Sequence, residues 1–136
     1  MLRVLIVEDE ALVAMEIESM LILAGHDTIG LADDMATAMA AVDIELPDLA
    51  LVDMQLAHGC SGLDVAAALV QRGVPVMFAT GNCPCERGQL LALGCLHKPF
   101  NDQTMAAAIG AAEIMLGGRF VPALPPSLHL YAGNAH

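Results

Sequence analysis

The sequence predicts an α/β fold in which helices cover both faces of a parallel β-sheet. Short runs rich in Val, Ile, Leu and Ala alternate with longer segments that have a helical pattern of apolar residues, and this alternation is typical of βαβ units. Several of the short runs end on acidic or polar residues, a second feature of sheets whose strand ends form a site. The chain has 136 residues, which is enough for one domain with a substantial core.

The first half of the chain is predicted to hold three strands and two helices. Gly25 ends the first helix, and Pro47 ends the second because the residue before a proline disfavours the helical conformation. The third strand follows Pro47 and ends on Asp53, an acid that a buried strand tolerates only where a cation, hydrogen bonds or solvent meet it. We predict strands at 4–7, 26–31 and 50–52, and helices at 11–24 and 34–45.

The second half continues the same alternation. Gly73 ends the third helix, Pro84 suits the first turn of the fourth, and Asn101 is a good N-cap for the fifth. Asp102 favours the positive end of that last helix, and Gly117 breaks it. We predict strands at 75–79 and 94–97, and helices at 63–70, 84–93 and 102–116.

Five strands and five helices with right-handed crossovers fit a singly wound sheet or a doubly wound sheet of order 2-1-3-4-5. We favour the doubly wound, flavodoxin-like (βα)5 three-layer sandwich, because it gathers polar strand ends outside the carboxyl edge of the sheet. The residues that would meet at this edge are Glu8, Asp9, Asp53, Thr80 and Lys98.

The chain is strongly acidic, with a formal net charge of −11. Such a chain is repelled by nucleic-acid phosphates and anionic lipid surfaces, so we expect a protein partner. No apolar run approaches the roughly 18 residues of a membrane span, and no signal-peptide pattern is present, so a cytoplasmic location is expected.

The four cysteines are Cys60, Cys83, Cys85 and Cys95. Without a secretory signal, free thiols are expected. Three of them would lie near loops at one end of the sheet, but Cys-Pro-Cys has neither the zinc-ribbon nor the thioredoxin-like spacing, so a metal or redox site is disfavoured.

The polar edge of the predicted sheet suggests phosphoryl chemistry. Two or three neighbouring carboxylates repel one another and imply a bound hard cation, Mg²⁺ or Mn²⁺. Carboxylates can act as covalent nucleophiles, so Asp53 could accept a phosphoryl group. Thr80 and Lys98, the only lysine of the chain, could stabilise the charge on its oxygens. Each of these residues taken alone has a plainer interpretation, as a loop cap or a surface side chain.

Together, four motifs resemble those of receiver domains of bacterial two-component response regulators. They are Val-Glu8-Asp9, Val-Asp53, Ala-Thr80-Gly81 and Lys98-Pro99-Phe100, and the resemblance covers about residues 2–116. It implies that Asp53 accepts phosphate from a histidine kinase or a phosphotransfer protein, and that Glu8, Asp9, Asp53 and the Gln55 carbonyl hold the metal. It also implies that Thr80 and Lys98 bind phosphoryl oxygens, and that the domain is a phosphoacceptor rather than an enzyme.

The resemblance extends to a subgroup of mostly stand-alone receivers that carry Phe-Ala-Thr-Gly, although the tyrosine that follows there is missing here. We expect a receiver domain at 1–118 and a tail at 119–136 without an output domain. The apolar residues of the tail suggest that it packs on the domain or on a second copy, with disorder as the alternative. The position of the family's aromatic switch is Cys95, so any activation is expected in the loop and helix after Thr80.

Three other functions are alternatives to this interpretation. A flavin-binding protein would need a phosphate-cradling loop after strand one, where three acids stand instead. A phosphatase of the haloacid-dehalogenase type would need an aspartate where Gln55 stands. A receiver-like module that binds partners without phosphorylation stays open as the alternative.

Overall fold

A computed structural model describes residues 1–84, 86–119 and 126–131 of the chain, except for the side chain of His58. Its strands are β1 (Arg3–Val7), β2 (Asp27–Ala32), β3 (Leu49–Val52), β4 (Val76–Thr80), β5 (Gly94–His97) and β6 (Leu128–Leu130). Its helices are α1 (Ala11–Leu23), α2 (Met35–Ile44), α3 (Gly62–Gln71), α4 (Glu86–Leu91) and α5 (Asp102–Leu116), with a 3₁₀ turn at Ala57–Gly59.

The strands form one sheet in the order β2-β1-β3-β4-β5-β6. The first five strands are parallel, and their order confirms the doubly wound arrangement. β6 is an addition that was not predicted as a strand, and it pairs antiparallel with the outer edge of β5. None of the helices in the described residues is long and apolar enough to cross a bilayer.

The core has two halves, one on each face of the sheet, because neighbouring side chains of a strand point to opposite faces. Along β1, Val4 and Ile6 pack towards α1 and α5, whereas Leu5 and Val7 pack towards α2 and α3. Strands β3 and β4 are buried along their whole length. Both faces of the central strands are therefore dry, as the continuous apolar runs predicted.

Local polar residues fix the beginnings of two helices. Asp34 at α2 and Asn101 at α5 each accept a hydrogen bond from the third residue of the helix and complete a capping box. The helix predicted at 84–93 is shorter in the structure. Pro84 lies before it, and α4 begins at Glu86. It ends at Leu91, since the Leu93 N–H joins the sheet by donating to the Val76 carbonyl.

The described part of the tail packs on the domain. Leu128 and Tyr131 are buried, and the Tyr131 N–H donates to the Leu93 carbonyl at 3.0 Å. This confirms the packing prediction for residues 126–131. The apolar residues Phe120, Val121 and Leu124, on which the prediction also depended, lie outside the described residues.

Candidate functional site

The register of β1 against β3 places two acids side by side. Val7 pairs with Val52, so Glu8 and Asp53 are the first residues beyond two adjacent parallel strands. The Asp53 N–H donates to the Val7 carbonyl at 2.9 Å, which extends the pairing up to the acid itself. Both side chains are buried, with Glu8 4% and Asp53 8% exposed.

The register of β4 against β5 places a cation, the Lys98 ammonium, beside the two acids. Thr80 pairs with His97, and the next residue, Lys98, donates its backbone N–H to the Thr80 carbonyl at 3.0 Å. Its ammonium Nζ donates to Glu8 Oε1 at 2.8 Å and to Asp53 Oδ2 at 3.0 Å. One lysine therefore donates hydrogen bonds to two buried acids that follow different strands.

Asp53, Thr80 and Lys98 border an open pocket of about 330 Å³ at the carboxyl edge of the sheet. Glu8, Asp9 and Asp53 each offer a carboxylate oxygen, and the three oxygens lie within 4.8 Å of one another, close enough to hold a metal ion. Asp9 is exposed while the other two are buried. The pocket is lined by Asp9, Glu10, Asp53, Gln55, Thr80, Gly81, Asn82 and Lys98.

The two buried acids have opposite pKa shifts. Burial raises the pKa of Glu8 from 4.5 to about 7, and the adjacent Asp53 adds to this effect, while the hydrogen bond from Lys98 opposes it. Burial alone would also raise the pKa of Asp53, but hydrogen bonds from Thr80, Lys98 and Glu8 hold it below its usual value. Burial would lower the pKa of Lys98, yet its hydrogen bonds to the two acids raise it. Near neutral pH Asp53 is therefore an ionised carboxylate beside a charged lysine.

The loop after β3 folds tightly back onto the site. The Gly62 N–H donates to the Met54 carbonyl at 2.8 Å, and Gln55 bridges to Ser61. A Cβ atom on Gly62 would lie 2.0 Å from the backbone oxygen of Asp53. Only glycine permits this close approach, which holds the Asp53 backbone and brings Gln55 to the pocket wall.

All six residues predicted for the site lie at this edge. Glu8, Asp53 and Lys98 are joined by hydrogen bonds, and Asp9, Gln55 and Thr80 line the same pocket. The sequence prediction did not include Asn82 among the site residues, but its N–H donates to Thr80 Oγ1 at 3.2 Å. Its position two residues beyond a strand-end threonine was the available signal.

The prediction of free thiols was wrong for two of the cysteines. Cys83, in the loop after β4, forms a disulfide with Cys95 of β5, with a Cα–Cα distance of 6.1 Å. The prediction depended on compartment and motif spacing and left out the topology. Because β4 and β5 are neighbours in the sheet, the loop after β4 can reach a residue of β5. Cys60 is a free thiol, and Cys85 lies outside the described residues.

Comparison with known proteins defines the class of protein to which this fold and site belong. The family model of the response regulator receiver domain matches residues 4–110. The chain therefore belongs to the response regulator receiver family, whose members act in two-component signalling.

Among individual relatives, the chain is 38% identical over 116 residues to the phyllosphere-induced regulator PhyR of Methylorubrum extorquens, covering 81% of this chain and 43% of that one. It is 31% identical over 115 residues to the transcriptional regulatory protein PdtaR of Mycobacterium tuberculosis, covering 81% and 56%. The chain thus spans about half the length of these curated relatives.

Solved structures agree with this assignment. The receiver domain of Erythrobacter litoralis PhyR superimposes with a TM-score of 0.72 at 31% identity, covering 91% of this chain and 96% of that one. SdrG of Sphingomonas melonis superimposes with a TM-score of 0.67 at 36% identity, covering 80% and 93%.

Proposed function

We propose that this receiver domain is a phosphoacceptor, modified on Asp53 by a histidine kinase or a histidine phosphotransfer protein. The observation that carries the proposal is the hydrogen-bonded contact of Lys98 Nζ with Asp53 Oδ2 at 3.0 Å in a pocket that Thr80 also lines. A nucleophile and two groups that can stabilise a phosphoryl anion thus meet at an open surface.

The three carboxylates and the pocket fit a divalent cation. Their oxygens within 4.8 Å of one another form the hard donor set that Mg²⁺ or Mn²⁺ prefers. Glu8, Asp9, Asp53 and the backbone carbonyl of Gln55 would hold the ion. When bound, the ion supplies positive charge against the oxygens of the transferred group.

The chemistry of transfer falls to the residues of the chain. A lone pair on an Asp53 carboxylate oxygen forms the new O–P bond, while the N–P bond of the phosphohistidine breaks and its electron pair returns to the imidazole. The Lys98 ammonium has two of its three N–H donors on carboxylates, which leaves the third for a phosphoryl oxygen. The Thr80 hydroxyl is the second donor in reach of that group.

The same arrangement argues against turnover of an independent substrate. Gln55 is exposed and carries no acid that could activate water for a phosphatase reaction. We therefore propose a phosphoacceptor with slow self-phosphorylation and self-dephosphorylation, acting in the cytoplasm and signalling through protein contacts. Bartonella quintana PhyR is named an anti-anti-sigma factor, and this chain covers 44% of it, so the proposal for this chain stops at receiver phosphorylation and a protein partner.

Intact-mass analysis with a small phosphodonor tests the proposal. In Mg²⁺ with acetyl phosphate or phosphoramidate, wild type should gain the mass of one phosphoryl group, and Asp53→Asn should gain none. Asp48→Asn is the matched control. The Asp48 side chain also accepts a hydrogen bond, from the Arg3 backbone N–H, but it does not line the pocket.

Wild-type labelling that persists in Asp53→Asn would move the phosphoacceptor to another residue. Absence of labelling by the donors and by a panel of histidine kinases would favour the alternative, a receiver-like module that binds partners without phosphorylation.

A further inference from the structure

The disulfide between Cys83 and Cys95 joins β5 to the loop after β4, next in sequence to residues that line the proposed phosphoryl site. Cys95 is fully buried in β5, packed in the same core cluster as Phe78. Cys83 is only partly buried and contacts that cluster from the loop. The bond therefore fastens a partly exposed loop residue to the interior of the sheet.

The fastened loop forms one wall of the pocket. Gly81 and Asn82 line it, and they are the only residues between Thr80 and Cys83. Thr80 is held in β4 by its pairing with β5, so the disulfide anchors the second end of a two-residue segment. The disulfide at Cys83 therefore limits how far Gly81 and Asn82 can move.

A phosphoryl group on Asp53 would meet two hydrogen-bond donors of this segment. The Thr80 hydroxyl accepts the Asn82 N–H at 3.2 Å and lines the same pocket as Asp53. A phosphoryl group on Asp53 adds oxygens that compete for the Thr80 hydroxyl and the Asn82 N–H, so both groups must be re-aimed. A loop that is tethered one residue beyond Asn82 resists this rearrangement.

We propose that Cys83 and Cys95 form a reversible thiol–disulfide site that controls the affinity of the pocket for a phosphoryl group, with the oxidised form binding more weakly. The inference rests on the proposed function of Asp53 and adds a second input to it. Disulfides in the cytoplasm are commonly transient and redox-sensing, which is the behaviour expected of this pair in the compartment proposed above.

The exchange reaction balances with a dithiol reductant. A thiolate of the dithiol attacks the Cys83 sulfur, which is the more exposed of the two, and the Cys95 thiolate leaves. The second thiol of the reductant then displaces Cys83 from the mixed disulfide. Two cysteine thiols and one oxidised dithiol result, with two electrons transferred to the protein.

The test compares the two redox states in one background. Cys60→Ser with Cys85→Ser leaves Cys83 and Cys95 as the only cysteines, and alkylation followed by intact mass assigns the state of each sample. Beryllofluoride with Mg²⁺ serves as the phosphoryl probe, and its dissociation constant is measured before and after reduction by dithiothreitol. Reduction should tighten binding by at least about fivefold, the lower end of ordinary coupling between two sites.

The control variant removes the bond without a reductant. Cys83→Ala with Cys95→Val keeps both positions apolar and near the volume of a thiol, so it also replaces the reduced state if chemical reduction unfolds the chain. This variant should bind the probe as tightly as the reduced protein, and dithiothreitol should not change its affinity.

A reciprocal measurement separates coupling from mere stapling of the fold. If reduction tightens probe binding by some factor, saturating beryllofluoride must ease reduction of the disulfide by the same factor, which is read from the midpoint of a dithiol–disulfide titration. A bond that only stabilises β5 would leave that midpoint unchanged.

The outcomes distinguish the inference from the proposed function. Equal, measurable affinity in the oxidised and reduced states overturns the redox coupling and leaves Asp53 as the phosphoacceptor. Failure of both states to bind the probe overturns the proposed function, and the coupling with it.

Discussion

Glu8 should make the metal-free protein lose stability as the pH rises towards neutrality. Its pKa in the folded chain is raised from 4.5 to about 7, first because the side chain is buried and then because Asp53 stands beside it. Between these two pH values the folded chain holds a proton that the unfolded chain has released. The stability that this proton contributes is fully present below about pH 4.5 and is lost as the pH approaches 7.

The magnitude follows from the same values. A pKa displaced from 4.5 to about 7 corresponds to about 3 kcal/mol, and water at the pocket mouth reduces this to about 2 to 3 kcal/mol. Other groups titrate with the opposite sign. Burial lowers the pKa of His26, so its contribution rises with pH through the histidine range, and hydrogen bonds lower the pKa of Asp53, which acts at more acidic pH.

A matched variant isolates the effect of Glu8. Urea unfolding in EDTA at several pH values between 4.5 and 7.5 should show wild type losing about 2 to 3 kcal/mol relative to Glu8→Gln. His26 is present in both proteins, and Asp53, whose pKa is lowered in the folded chain, acts below this pH range. Glu10→Gln, which removes an exposed charge two residues away, should follow the wild-type curve. If the stability of wild type and of Glu8→Gln changes with pH in parallel, the raised pKa assigned to Glu8 is refuted.

Three further outcomes follow from the geometry. Asp9→Ala should lose most of the Mg²⁺-induced rise in melting temperature, and an undiminished rise would place the ion elsewhere. Gly62→Ala should cost more than about 2 kcal/mol of unfolding free energy because its Cβ would meet a backbone oxygen at 2.0 Å, whereas Gly110→Ala, with open space around it, should gain about 0.5 to 1 kcal/mol. Reduction of the Cys83–Cys95 bond, which spans 12 residues, should cost about 3 kcal/mol by loop entropy, and urea midpoints that do not move would contradict this.

The fold was predictable because each element carries its own local signal. Asn101 begins α5 with the capping box that its side chain suggested, and the apolar runs at β3 and β4 are buried on both faces. The sixth strand was not predicted, because a three-residue strand has almost no periodicity of its own. Leu128–Leu130 becomes a strand by pairing with the exposed edge of β5, which is a tertiary event.

The sequence predicted which side chains lie at this edge of the sheet, but not the hydrogen bonds between them. Strand ends at one edge brought Glu8, Asp53 and Lys98 together by topology alone. That Lys98 would bridge both acids depends on side-chain reach and burial, which no pattern records. The Cys83–Cys95 bond could have been inferred from the predicted strand order, had adjacency in space been weighed before compartment.

In a chain with few cations, Lys98 is the ammonium that pairs with the buried carboxylates of the candidate site. The chain carries 16 acidic residues and five Lys plus Arg, and Lys98 is the one that contacts both buried carboxylates. Its two ion pairs connect the ends of β1, β3 and β5. A phosphoryl group that attracts the ammonium would weaken the ion pair with Glu8 and release the end of β5 at the same time. The Lys98 N–H is also bonded to the carbonyl of Thr80, from which the loop to Cys83 departs. A charge added at Asp53 would therefore act on Lys98 and, through its backbone hydrogen bond, on the end of β4, from which the loop to the disulfide begins.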